Sequence, residues 1–366
     1  LSFKNLLFLL FLLTLFSCGT SKHFEKSWKV RFLDEYIIPE NQQVEGTKVG
    51  GLSGLDFDGK FFYAVCDLPS SPRIYKFRIV LKKDKIDTLL FEEVISIDRK
   101  ENPSLFWDSE GLIYNKENNR FFVSSEGSIK NNKDPFIAEL DDEGKLLHTF
   151  EIPPYFKPDA EKGLRNNGVF EGLSESPDTK KIWVANELPM KRDGGKVKLY
   201  NTKSPVRFTM FDKKSRQPEK QFAYSLDRLR KLPLLPFGWS GVSAILNYAP
   251  DKFFVLERAF SAGHGSRGMR VRLYEADAGR ASNTLHTKSL KGKINKEIIP
   301  AEKTLIFDFN EIRQKLTGKI VDNLEGISFG PILPNGNQTL VVIADNNFSS
   351  WTPQLNQVIL LELIPN

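Results

Sequence analysis

The 366-residue sequence has only two cysteines, four histidines and three methionines, and each shortage closes a route. Cys18 falls in an N-terminal targeting segment, which leaves Cys66 unpaired, so no intrachain disulfide is expected. His23 lies near the N-terminus, and too few histidines are left for a histidine-rich zinc centre. No Walker phosphate loop and no dinucleotide-binding glycine fingerprint occurs. Gly51-Leu-Ser-Gly54 and Gly238-Trp-Ser-Gly241 lack the spacing of a nucleophile elbow, so a serine-triad esterase has no local support. Gly263-His264-Gly265-Ser266-Arg267 reads as a flexible glycine-rich loop. The net charge is a modest +6, and lysine clusters such as Lys82, Lys83 and Lys85 alternate with acids as solvated loops do. With no basic stripe carrying interleaved aromatics, a nucleic-acid partner is excluded.

One apolar run is present, near the N-terminus. Lys4 is followed by Leu6 to Leu13, then by Leu15-Phe-Ser-Cys18-Gly19. A short apolar region ending in small residues marks export rather than structure. Its ending is similar to a bacterial lipobox, in which the cysteine becomes the lipidated first residue. The expected organisation is therefore a signal peptide over residues 1–17, a tether over 18–27 carrying lipidated Cys18, and one folded domain over 28–366. That implies an exported, periplasm-facing domain held at a membrane surface by its lipid anchor. No second apolar segment is long enough to cross a bilayer. A monomer is expected.

Beyond this segment the chain repeats itself. A small or acidic residue, a glycine and a bulky aliphatic are followed by a turn and a hydrophobic strand with a polar end. The phrase runs from Gly51-Leu-Ser-Gly-Leu55 to Asp67, from Ser109-Glu-Gly-Leu112 to Glu126, and from Phe170-Glu-Gly-Leu173 to Glu187. It returns from Ser240-Gly-Val242 to Arg258 and from Leu324-Glu-Gly-Ile327 to Asn346. Repetition at this scale indicates one modular architecture. Short strands separated by Asn, Asp and Gly turns indicate antiparallel hairpins. The 29 phenylalanines suit an aromatic-rich β core. The reading is all-β, a single β-propeller of about six blades, with five or seven also compatible. The long interval between Gly241 and Gly326 is the natural place for an extra blade. The strand Val358 to Leu363 is placed to close the ring against the N-terminal strand. Residues 225–231 and 309–315 are the candidate helices.

In a propeller the inner strands converge on a central channel. Glu110, Glu171 and Glu325 would approach one another there. Asp67, Glu126, Glu187, the pair Glu257 and Arg258, and Asp345 with Asn346 would form a second ring. Hard oxygen donors in this number suit Ca²⁺ or Mg²⁺, alone or with a phosphate. The same acids read equally as clasps onto backbone amides of a neighbouring blade. Like charges facing a shared channel are costly unless paired or metal-bound. The Arg258 guanidinium fits a phosphate or carboxylate bidentately, or an ion pair with a channel acid. Ser53 and Ser240 stand where other repeats have glutamate, which confines a site to one side of the channel.

These residues carry a resemblance. Gly51-Leu-Ser-Gly-Leu-Asp56, Asp108-Ser-Glu-Gly-Leu112, Val169-Phe-Glu-Gly-Leu173 and Ala185-Asn-Glu187 resemble the phytase-like family, also called the esterase-like activity of phytase family. So do Leu256-Glu-Arg-Ala-Phe-Ser261, Asp322-Asn-Leu-Glu-Gly326 and Asp345-Asn-Asn-Phe-Ser349, and the resemblance spans about residues 45–365. It implies an exported propeller that hydrolyses small phosphoesters or esters, and the acidic channel suits Ca²⁺ as its cofactor. A binding propeller without catalysis is the alternative. The ring and the resemblance together make Glu110, Glu171, Glu325 and Glu257 the expected catalytic residues, and Asp67, Glu126, Glu187 and Asp345 the expected metal ligands. Arg258, Asn186, Asn323 and Asn346 are the implied substrate contacts. Asn166 and Asn167 stand where the resemblance leads one to expect an arginine beside the Glu-Gly phrase. Arg165 lies earlier.

Overall fold

The computed structural model describes residues 28–99, 102–159, 162–200, 204–348 and 354–366. The expected signal peptide, tether and lipidated Cys18 lie outside them. Five four-stranded antiparallel sheets form the molecule. Blade 1 holds Leu52–Phe57, Phe62–Cys66, Arg73–Lys82 and Lys85–Ser96; blade 2 holds Ser109–Asn115, Arg120–Ser125, Phe136–Leu140 and Leu146–Thr149. Blade 3 holds Phe170–Glu175, Lys181–Asn186, Pro205–Asp212 and Pro218–Ser225; blade 4 holds Gly238–Ala249, Lys252–Ser261, Met269–Asp277 and Glu302–Asp308. Blade 5 takes Asn323–Ile332, Gln338–Asp345 and Asn356–Pro365 from the C-terminal part and Trp28–Ile38 from the N-terminal part.

The inner strand of each blade touches that of the next, and blade 5 returns to blade 1. The fold is thus a closed five-bladed propeller, at the lower end of the expected range. Hydrophobic strands buried on both faces follow from this packing, because each blade lies between two others. In blade 4, Phe253 and Val255 pack toward blade 3 with Trp183, Phe208 and Phe222. Phe254 and Leu256, one residue along, pack toward blade 5 with Leu324, Leu340 and Val342. Period-two alternation sends successive side chains to opposite interfaces. The other three interfaces are built alike. Each large apolar side chain so buried contributes about 1.5–3 kcal/mol.

Ring closure falls where the sequence placed it. Trp28 pairs with Pro365 and Ile38 with Asn356, an antiparallel register that makes the first strand the outermost of blade 5. The long Gly241–Gly326 interval holds no further blade. Residues 278–301 leave blade 4 and cover the outer strand of blade 3. Thr284 N donates to Gln221 O and Ala301 N to Ala223 O, both at 2.8 Å, while Leu290, Ile294 and Ile298 pack on Ala223. An open sheet edge is thereby protected. Residues 226–231 are irregular rather than helical, and Phe309–Lys315 is a 3₁₀ helix. Among the described residues no helix is long and apolar enough to cross a membrane.

Candidate functional site

Each inner strand slips register against its neighbour at one matching place. The slips fall between Leu52 and Gly54, Ser109 and Gly111, Phe170 and Leu173, Val242 and Ala244, and Leu324 and Gly326. The extra residues are Ser53, Glu110, Glu171, Ser243 and Glu325. A bulge re-aims a side chain, and the three glutamates line one axial cavity. The glycine after the bulge has its own reason. A Cβ on Gly54 would stand 2.6 Å from Leu112 N and 2.8 Å from Glu110 O of the next blade. Inner strands crowd at a five-fold axis, and glycine permits the approach.

This register corrects the sequence alignment of blade 4. Ser243 and Ala244, rather than Ser240 and Gly241, occupy the acid and glycine positions, and Ser243 Oγ donates to Leu324 O at 2.9 Å. The second strands then align as well. Two residues past the partner of the glycine position come Asp67, Glu126, Glu187, Arg258 and Asp345. Four blades present a carboxylate there and blade 4 presents the arginine.

The cavity has a volume of about 500 Å³, and its lining includes eight carboxylates but only Arg258 and Lys196 as cations. The carboxylates are Asp67, Asp108, Glu110, Glu126, Glu171, Glu187, Glu325 and Asp345. Burial and mutual repulsion both disfavour their charge. Burial, then Glu171 and Glu325, hold Glu110 well above the usual carboxylate range. Burial, then Glu187 and Glu126, do the same to Glu171. Asp345 is also held well above that range, by burial and then by Glu325. Burial first pushes Asp108 up to about 6, Asp67 and Glu187 to about 7, and Glu126 to about 8.

Some of this acidity is tied down. Glu126 Oε1 accepts from Gly168 N at 2.7 Å and Val169 N at 2.6 Å. That is the clasp role, combined with a place on the cavity wall. Arg258 Nη1 donates to Glu325 and Asn323, Nη2 lies 3.4 Å from Glu187 Oε1, and the guanidinium sits 4.8 Å from the Trp239 ring. Its Nε has no hydrogen-bond partner among the described residues. Asn323 Nδ2 donates to Glu325 Oε1 at 2.8 Å. Asp108, Glu110 and Glu126 bring one ligand oxygen each to within 4.8 Å of one another. Hard oxygens at that spacing suit Ca²⁺.

Three expected site residues lie elsewhere. Glu257 precedes Arg258 by one residue, so alternation turns it to the opposite face. There it accepts from Tyr224 Oη at 2.6 Å, from Asp227 N at 3.0 Å and from Lys303. Asn186, one residue before Glu187, is buried beside the cavity wall without lining it, and neither amide atom has a partner among the described residues. Asn346 accepts from Gly51 N at 3.1 Å and Phe348 N at 3.2 Å, which ties blade 5 to blade 1. Asp108, Trp239 and Lys196 line the cavity without having been singled out. The position of Asp108, two residues before Glu110, was the available signal.

A family described as phytase-like, esterase-like activity of phytase, matches residues 47–348. No curated protein matches the sequence. Among solved structures, Myxococcus xanthus glutaminyl cyclase is 12% identical, with 93% of this chain and 98% of that one covered, at TM-score 0.39. Streptomyces coelicolor aldose sugar dehydrogenase is 11% identical, with 92% and 99% covered, at 0.39. Cellvibrio cellulosa α-L-arabinanase is 10% identical, with 85% and 91% covered, at 0.41. Likenesses this distant bear on neither blade count nor chemistry.

Proposed function

Because the chain belongs to the phytase-like family, we propose that it hydrolyses small phosphoesters or esters in the axial cavity, with Ca²⁺ as cofactor. One observation carries this reading: eight carboxylates share the cavity with two cations. Such crowding is costly in a purely structural ring and is relieved by a divalent cation. The donor set fits the ion. Asp108, Glu110 and Glu126 would hold it, with Glu171 and Glu187 across the same cavity. When bound, the ion supplies Lewis-acid polarisation and a more acidic water.

The chain's own residues supply the rest. Arg258, fixed by Glu325 and Asn323 on the cavity wall, supplies the positive charge for an oxygen of the substrate. Glu171, which burial and its acidic neighbours hold well above the usual carboxylate range, is placed to give a proton to the leaving oxygen as the ester bond breaks. The water oxygen forms the new bond to phosphorus or to the acyl carbon, and the proton it loses restores Glu171. Turnover of nitrophenyl phosphate and nitrophenyl acetate by the purified protein tests this, with Ca²⁺ and then with chelator. Absence of any cation-dependent turnover would sink the proposal.

A second reading is favoured by the shortage of cations, since a highly phosphorylated substrate needs several. The cavity would then bind a cation-linked ligand without turning it over. Cation binding by calorimetry, lost in Glu110→Gln and accompanied by no turnover, would select it. We also propose that Cys18 is lipidated. Trp28 lies at the end of blade 5 opposite Asp345, because it pairs with Pro365 while Ile38 pairs with Asn356. A tether leaving from Trp28 would point the acidic mouth away from the membrane, toward soluble substrates. Mass spectrometry of the N-terminal peptide from the native host tests the anchor.

A further inference from the structure

Blade 4 separates two cavities of opposite sign. Its second strand sends Arg258 to the acidic cavity, while Glu257, Ala259 and Ser261 line a second cavity of about 270 Å³. Seven lysines and arginines line this second cavity against two carboxylates, Asp227 and Glu257. Several of the cations are anchored. Arg272 donates to Asp227 at 3.1 Å and Asp308 at 3.2 Å, and Arg270 Nε to Asp308 at 3.1 Å. Arg313 donates to Met269 O at 2.9 Å and Asn310 Oδ1 at 2.6 Å. Arg228 and Arg267 make no side-chain hydrogen bond or ion pair among the described residues. Burial holds the Arg313 guanidinium below its usual value, with Asp308 opposing the shift and Arg267 adding to it. Counting Asp308 with the two lining carboxylates, seven cations still outnumber three acids, so the cavity stays positive.

We propose that the blade 4 cavity is a phosphate site, binding inorganic phosphate or the phosphate of a monoester. Several guanidinium forks around one space suit a tetrahedral dianion with more acceptors than a carboxylate has. The excess positive charge favours a dianion over a monoanion. Glu257, expected from the sequence in the channel, takes its place here: with Lys303 and Tyr224 it braces the wall between the cavities. The site is separate from the acidic cavity and stands whether or not that cavity hydrolyses anything.

The test is calorimetric titration of the full chain, made metal-free on a chelating resin, with inorganic phosphate, glycerol 2-phosphate and acetate at low salt. Phosphate is expected to bind, acetate more weakly, and added salt to weaken both. The double variant Arg228→Ala/Arg267→Ala should lose about tenfold or more in phosphate affinity, the scale of a lost charge-assisted hydrogen bond. Both side chains are exposed and unbonded, so the fold should survive. Glu110→Gln, which alters only the acidic cavity, should leave phosphate affinity unchanged. A preference for glycerol 2-phosphate over inorganic phosphate would assign the site to monoesters, and the reverse to the free ion. Equal affinity in the double variant and the parent, acetate binding as tightly as phosphate, or no phosphate binding would each overturn the proposal.

Discussion

Arg207 and Arg258 are both buried arginines, and they are used in opposite ways. Arg207 lies in blade 3 with Nε and Nη2 on Asp193 at 2.6 and 2.8 Å and Nη1 on Gln221 Oε1 and Thr287 O at 2.7 and 3.0 Å. The Tyr155 ring lies 4.8 Å away, and neither Arg207 nor Asp193 is exposed at all. All three nitrogens are bonded and one carboxylate balances the charge. Arg258 has two carboxylate partners, an unpartnered Nε, and six further carboxylates in its cavity. A closed buried pair fastens a fold. An open one surrounded by excess opposite charge is a place for something else to bind.

The largest expected effect attacks the closed pair. Asp193→Ala should cost about 3–5 kcal/mol, because an uncompensated guanidinium stays buried. The loss should be the same with and without Ca²⁺ in urea denaturation. A loss that Ca²⁺ rescues would erase the contrast. The open site should behave otherwise. Glu110→Gln should weaken Ca²⁺ by about tenfold or more, as loss of one charged ligand implies. The stability of the metal-free protein should be unchanged or higher, since one repelling group is gone. Calorimetry with matched denaturation curves reads both.

The last contrast is the pH dependence. Asp108, Asp67, Glu187 and Glu126 titrate at about 6, 7, 7 and 8 in the folded protein, but near 4 when unfolded. Between those values the folded state holds protons that the unfolded state has released. The metal-free protein should therefore be most stable near pH 4–5 and lose stability as pH rises through about 8. Saturating Ca²⁺ should flatten that decline and release protons on binding. Asp56, pushed up to about 7 chiefly by burial at the other end of blade 1, should keep its small share of the slope with or without Ca²⁺. A metal-free stability that rises over this interval would contradict the assignment.

Much of the fold was legible because a propeller repeats one local problem. Each blade needs a small residue where inner strands crowd, glycine in four of the five, then a turn and an apolar strand, and those residues recur in order. The count of five was not legible, because an insertion covering a strand edge and an extra blade lengthen an interval alike. Residues 278–301 hold Leu290, Ile294 and Ile298 for a neighbour's edge, and nothing in their spacing declares it. Blade 4 was misaligned by three residues because Gly241 imitates the repeat. Only the bulge beside Val242 shows that Ser243 and Ala244 are the true equivalents.

The site divides along the same line. Glu110, Glu171 and Glu325 were readable as a set, since each stands before the repeat glycine. Which residue of a polar strand end faces the axis was not. Asp67, Glu126, Glu187, Arg258 and Asp345 face it, whereas Glu257 and Asn186, one residue earlier, do not. The sequence by itself determined the modules, the carboxylates in them and the pairing of the two ends of the chain, because local periodicity and turn chemistry act over a few residues. Tertiary structure alone decided how many modules close the ring and which acids share one cavity. Closure depends on packing between residues far apart in the chain, and the direction of a side chain depends on a one-residue bulge set by its partner strand.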